Sequence, residues 1–219
     1  MFEPVARALR LLRLSAARGT TVDPGDGGAT ARLFPAVDFV AYAEDCILSG
    51  RVRLAAERLT DMLDDHDEIL MHDVLAEPLD GSGAVEVSEL LVRRDEIVFA
   101  HGTGPRGSVA RRRRTRQHPL AIGLGRFDVH GYVHALPGSD PLTAIRRRRS
   151  MVPLTDAWIE YQVGTERQRR RVGAVLLNRD HIDTVASGRE HEVDMPDLPV
   201  STEQGPLLKD FTGHILGDA

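Results

Sequence analysis

Arginine supplies the densest chemistry in this chain. Three runs stand out: Arg111, Arg112, Arg113 and Arg114; Arg146, Arg147, Arg148 and Arg149; and Arg169, Arg170 and Arg171. Guanidinium groups fork onto phosphate and carboxylate oxygens, so these runs read as a candidate surface for a polyanion or an acidic partner. Aromatic residues are only 5% of the chain, leaving few platforms on which single-stranded bases could stack. Chain-wide there are 27 arginines against one lysine, Lys209, which reads as coding bias more than as chemistry.

Other reactive groups lead less far. His130 and His134 lie four apart in a strand pattern, which separates them by about 13 Å and keeps them from sharing one ion. His66, Asp67, His72 and Asp73 follow no recognised ligand spacing. No nucleophile elbow, phosphate-cradling glycine loop or zinc-protease motif is present. Arg112 and Arg116 resemble the arginine spacing of PilZ-type cyclic-dinucleotide binders, but Asp128-Val129-His130-Gly131 is a poor downstream match. The expectation is a protein with no catalytic constellation, no metal site and no cofactor.

The elements that must carry these side chains come in two versions. Residues 39–100 reappear, in register, near 120–185. Gly50 matches Gly131 at an offset of 81, Asp73 matches Asp156 at 83, and Arg94-Asp95 matches Arg179-Asp180 at 85. Phe39, Ala41 and Ala43, then Cys46, Leu48, Gly50 and Val52, share one parity. Phe127, Val129, Gly131 and Val133 do the same in the second version. Such alternation predicts half-buried antiparallel strands, and a glycine inside each implies close backbone approach. A short helix is expected at Ala55–Asp64, another at Asp140–Arg149 with Asp140 as N-cap and Pro141 at N1. Asp73 and Asp156 are expected to satisfy backbone donors at a turn.

The implied organisation is an N-terminal helix and linker (1–36), a first repeat (37–100), an Arg/Gly-rich connection (101–117), a second repeat (118–186) and an acidic, disordered tail (187–219). A unit of about 65 residues buries too little surface to be stable alone, so the repeats should pack on each other or on other subunits. Their charges oppose. Residues 37–100 hold five arginines and sixteen acidic residues; residues 101–189 hold seventeen and seven. Where they align, Arg147, Arg148 and Arg149 stand for Asp64, Asp65 and His66, and Arg171 stands for Glu86. The single cysteine, Cys46, excludes an intrachain disulfide and suits a reducing cytoplasm. No apolar run approaches the roughly 20 residues of a membrane span. Arg10 and Arg13 interrupt what would be a secretory signal's apolar core.

The order of elements and two short motifs resemble the Sm and Sm-like barrels. Ile69-Leu70-Met71-His72-Asp73-Val74 followed by Glu77, and Val152-Pro153-Leu154-Thr155-Asp156-Ala157 followed by Glu160, are similar to the first Sm motif. Val92-Arg93-Arg94-Asp95-Glu96-Ile97 and Leu177-Asn178-Arg179-Asp180-His181-Ile182 take the place of the second, with Arg94 and Arg179 where that family has glycine. The chain also resembles uncharacterised conserved bacterial proteins sharing RLTD, PLTDA and NRDHI strings. The resemblance implies a mainly β protein with two tandem small Sm-like barrels, each with one helix between its second and third strands. Two functions follow. One is a non-enzymatic interaction or regulatory protein that binds itself or another protein through complementary charge. The other is a nucleic-acid binder using the arginines of the second repeat and the connection.

Overall fold

A computed structural model of the protein describes residues 34–105 and 114–187. The expected N-terminal helix, Arg111, Arg112 and Arg113, and the acidic C-terminal segment lie outside the described residues. Among the described residues the fold is mainly β, with ten strands in one open antiparallel sheet. The first half holds β1 (Ala36–Tyr42), β2 (Cys46–Arg53), α1 (Leu59–Asp65), β3 (Glu68–Pro78), β4 (Val85–Arg93) and β5 (Phe99–Gly102). The second holds β6 (Arg116–Leu124), β7 (Phe127–Ala135), α2 (Pro141–Arg146), β8 (Met151–Val163), β9 (Glu166–Asn178) and β10 (Thr184–Ser187). A 3-10 turn precedes the last strand of each half, Arg94–Glu96 and Arg179–His181.

Across the sheet the order is β10-β6-β7-β8-β9-β5-β1-β2-β3-β4. Both halves therefore follow one internal plan, with the fifth strand beside the first. The ladders close neither half on itself. Instead β9 pairs with β5, Phe99 opposite Leu177 and Ala100 opposite Leu176, and β4 and β10 are left as the end strands. Registers match position by position. Phe39 faces Gly50 as Leu120 faces Gly131; Ala41 faces Ala100 as Ile122 faces Val185; Ile69 faces Val92 as Val152 faces Leu177.

Alternation decides which side of each strand is buried. Phe39, Leu48, Met71 and Val92 join one apolar cluster, and Ile122, Val129, Leu154 and Val175 join another. The clusters interlock. Met151 and Leu176 of the second half belong to the first cluster, while Tyr42, Ile47, Leu79, Val98 and Phe99 of the first half belong to the second. Burying such side chains contributes about 1.5–3 kcal/mol each, so neither half keeps its core intact without the other.

Both helices are shorter than the sequence pattern predicts. α1 begins at Leu59 after an extended Arg58 that supplies no side-chain cap. α2 has the expected start, Asp140 accepting from the Thr143 amide with proline following, but stops at Arg146. The next three residues are arginines, and the chain beyond them is drawn off by contacts with the first half.

Candidate functional site

The residues shared by the two halves sit at matching backbone features. Asp73 and Asp156 adopt left-handed φ of 50° and 47°, the only described non-glycine residues to do so. Each lies where the ladder to the preceding strand shifts register, opposite Gly50 and Gly131. A Cβ on Gly50 would lie 2.8 Å from the His72 carbonyl oxygen, closer than a side chain is tolerated, and one on Gly131 would lie a tight 3.1 Å from that of Thr155. The two aspartates are therefore bulge residues that turn the strand, not acceptors at a turn. Asp73 pairs with exposed Arg51.

Arg94 and Arg179 act as latches. Arg94 donates to the Asp64 carbonyl at the end of α1 (3.4 Å) and pairs with Asp67 at 2.9 Å. Arg179 donates to the carbonyls of Arg148 (2.7 Å) and Arg146 (3.4 Å) after α2. Each thus satisfies carbonyls that a helix end leaves without partners. Asp95 pairs with Arg93, and Asp180 lies 3.6 Å from Arg179.

The halves meet in a joint with a polar and an apolar part. In the polar part, one Asp64 oxygen accepts from the amides of Ser150 (3.2 Å) and Met151 (3.0 Å), and Arg149 pairs with Asp65 at 3.2 Å. Asn178 is buried and donates to the carbonyls of Ile97 (3.0 Å) and Arg94 (3.3 Å), and His181 donates to that of Asp95 at 2.6 Å. In the apolar part, Tyr42 stacks on Phe99 with centroids 4.3 Å apart, Phe127 stands edge-on to Phe99 at 5.0 Å, and Tyr161 stands edge-on to Tyr42 at 5.8 Å. The Tyr42 hydroxyl lies 3.4 Å from both His101 Nε2 and the Arg170 guanidinium. Burial, aided by the Arg170 charge, pushes His101 down to about 4, and burial holds the Tyr42 hydroxyl well above its usual range. His101 is thus neutral at pH 7 and shares a hydrogen bond with the Tyr42 hydroxyl, to which Arg170 also donates.

The three arginine runs are not one surface. Arg146, which ends α2, and Arg147, Arg148 and Arg149 after it are exposed, and among the described residues only Arg149 of the four is ion-paired. Arg169 and Arg171 lie on the outward face of β9, their guanidinium carbons 4.4 and 5.6 Å from the Trp158 ring centre, and Glu160 accepts from Arg167 and Arg169. Arg170 points to the other face, into the joint. Arg114 is exposed just before β6.

Among the described residues no group of three or more acidic, histidine or cysteine side chains is placed to hold a metal ion. His134 is bonded to Thr115 and Thr155 instead. Cys46 is buried in the first cluster, its thiol pushed up to about 12 by burial and the neighbouring Asp45. No described helix is long and apolar enough to cross a membrane.

Sequence reasoning missed the aromatic joint. Its signal was a disagreement between the halves: Tyr42 and Phe99 align with Gly123 and Thr184, and Phe127 and Tyr161 with Cys46 and Pro78. Comparison with protein-family models, with curated proteins and with solved structures finds no match to this chain.

Proposed function

We propose that this chain is a non-enzymatic interaction protein of the cytoplasm, built from two Sm-like barrel repeats whose opposite charges and shared aromatic core hold them as one unit. The observation that carries the reading is the joint itself. The acidic end of α1 meets the segment after α2: Asp64 accepts from the Ser150 and Met151 amides, and Asp65 pairs with Arg149. Among the described residues, the Asp64 carboxylate and the Asn178 amide are spent on partners across the joint. What remains outward is a pair of differently charged surfaces suited to protein partners or to further copies of the chain.

Replacing Asp64 with alanine tests this. Two backbone donors lose their acceptor, so unfolding free energy should drop by about 1–3 kcal/mol, and the single transition of the parent should broaden or split. Unchanged stability would remove the charged joint as the organising feature.

A second reading is favoured by the exposed Arg146–Arg148 run, which suits a phosphate backbone. It expects single-stranded RNA to be retained at low salt, with affinity falling steeply as salt rises and after Arg146, Arg147 and Arg148 are changed to glutamate. Absence of retention at low salt leaves the protein-interaction reading alone.

A further inference from the structure

The outward face of the second half carries a row of side chains that crosses five strands. Ala186 of β10 pairs with Ala121, Ala121 with His130, His130 with Trp158, and Trp158 with Arg171 of β9. The near end of the row is floored by two alanines. The far end is an indole with two guanidinium groups on it, Arg169 at 4.4 Å and Arg171 at 5.6 Å from the ring centre. Two groups at that far end lack their natural partners. Trp158 Nε1 is buried and meets no acceptor among the described residues. Glu160 takes up Arg167 and Arg169, while no described carboxylate pairs with Arg171. One carboxylate placed between the indole and Arg171 would satisfy both.

The flanking rows keep such a carboxylate on this line. On one side run Thr184, Gly123, Asp128, Glu160 and Arg169, whose two acidic side chains repel a third. On the other run Pro119, Tyr132 and Thr155, which carry no charge. The first half has no equivalent place, because Leu75 and Glu86 pair there as Trp158 and Arg171 do here. The chain itself leaves β10 at Ser187, one residue past the near end of the row. It continues, outside the described residues, as Gly188-Arg189-Glu190-His191-Glu192-Val193-Asp194. In an extended segment alternate side chains share a side, so Glu190, Glu192 and Asp194 face one way and Arg189 and His191 the other.

We propose that residues 188–194 lie across this row, with Glu190 at His130 and Glu192 between Trp158 and Arg171, accepting from the indole N–H and the guanidinium. The lengths agree. From β10, His130 is two strand spacings away and Trp158 and Arg171 three and four, which is about 10, 14 and 19 Å. From Ser187, Glu190 and Glu192 are three and five residues along, which is about 10 and 17 Å when extended. Asp194 then arrives beside Arg171 and Arg169. The outward face of β8 and β9 is thus a surface that the chain covers with its own acidic segment. An outside partner bearing carboxylates must displace that segment to use the same tryptophan and arginines.

Trp158 is the single tryptophan of the chain, so its fluorescence in the full chain reports this place alone. Quenching by acrylamide, which is neutral, measures how far the indole is covered. Changing Glu190→Gln, Glu192→Gln and Asp194→Asn together should raise the Stern–Volmer constant about twofold or more, since the carboxylates that hold the segment are gone. These three positions lie outside the sheet, so the variant keeps its fold. Arg171→Glu should raise the constant too, and adding Glu192→Arg to it should lower the constant again. Loss of the contact between Arg171 and the ring cannot give that recovery. Quenching unaltered by the triple substitution, or a charge swap without recovery, overturns the proposal. So does shielding that grows with protein concentration from about 1 to 100 µM, which would give the row to the segment of a second copy. Unfolding of Asp64→Ala reads the joint and not this face, so failure of either result leaves the other standing.

Discussion

The joint at β5 and β9 and the free ends at β4 and β10 are made of equivalent positions, yet they are chemically different places. At the joint, Tyr42, Phe99, Phe127 and Tyr161 pack ring on ring, and Val98 and Ile47 fill beside them. At the free ends the same positions hold Gly123, Thr184, Cys46, Pro78, Asp183 and Asp128. Backbone hydrogen bonds alone would make all such edges equally adhesive. The difference in rings gives the joint a buried aromatic core that the free ends lack.

The sharpest way to break that contrast is to remove a ring. Phe99→Ala should cost about 3–5 kcal/mol, because a fully buried side chain leaves a cavity between two halves that cannot relax independently. Thr184→Ala, the same position at the free end, should stay within about 0.5 kcal/mol. Equal effects in denaturant unfolding would show that the rings do not distinguish the two places.

Much of the fold was legible because side-chain alternation is local. Gly131-Tyr132-Val133 betrays a strand on its own, and Asp140-Pro141 marks a helix start without help from the rest of the chain. The bulges were half legible: a glycine in each second strand signalled close approach, but the left-handed backbone at Asp73 and Asp156 depends on the partner strand. The joint was hidden because Tyr42 and Phe99 carry no local periodic sign that they bury against another half. Tyr42 takes the opposite parity to Phe39, Ala41 and Ala43. The arginine runs misled in the opposite way, since adjacency in sequence places Arg169 and Arg171 on one face of β9 and Arg170 on the other.

A second way to sharpen the contrast is pH, because the joint buries His101 where the matching position of the second half is Ala186. His101 has a folded pKa of about 4 against about 6.5 when unfolded. Between those values the unfolded chain binds the extra proton, so stability rises with pH there. The contribution is complete above about pH 6.5 and is lost as pH falls toward 4, by about 2–3 kcal/mol. Tyr42, Tyr161, Arg170 and Glu77 face this cluster, and only Glu77 could offset the charge within that range. Unfolding measured from pH 7 to 4 should flatten in His101→Gln; a slope that survives the substitution would place the titration elsewhere.

The smallest expected effect separates the two kinds of polar contact within the joint. Arg149 and Asp65 are both exposed, so Arg149→Ala should change stability by less than about 1 kcal/mol, and by less still in high salt. Asp64 sits next to Asp65, but it accepts from two backbone amides, so its loss should be the larger despite similar charge. If Arg149→Ala instead matches Asp64→Ala and shares its salt dependence, the polar part of the joint is electrostatic attraction between halves. If the ordering holds, opposite charge steers the halves into register, and hydrogen bonds with buried rings keep them there. The free ends have the charges of Asp67, Glu68, Arg147 and Arg148 without those rings.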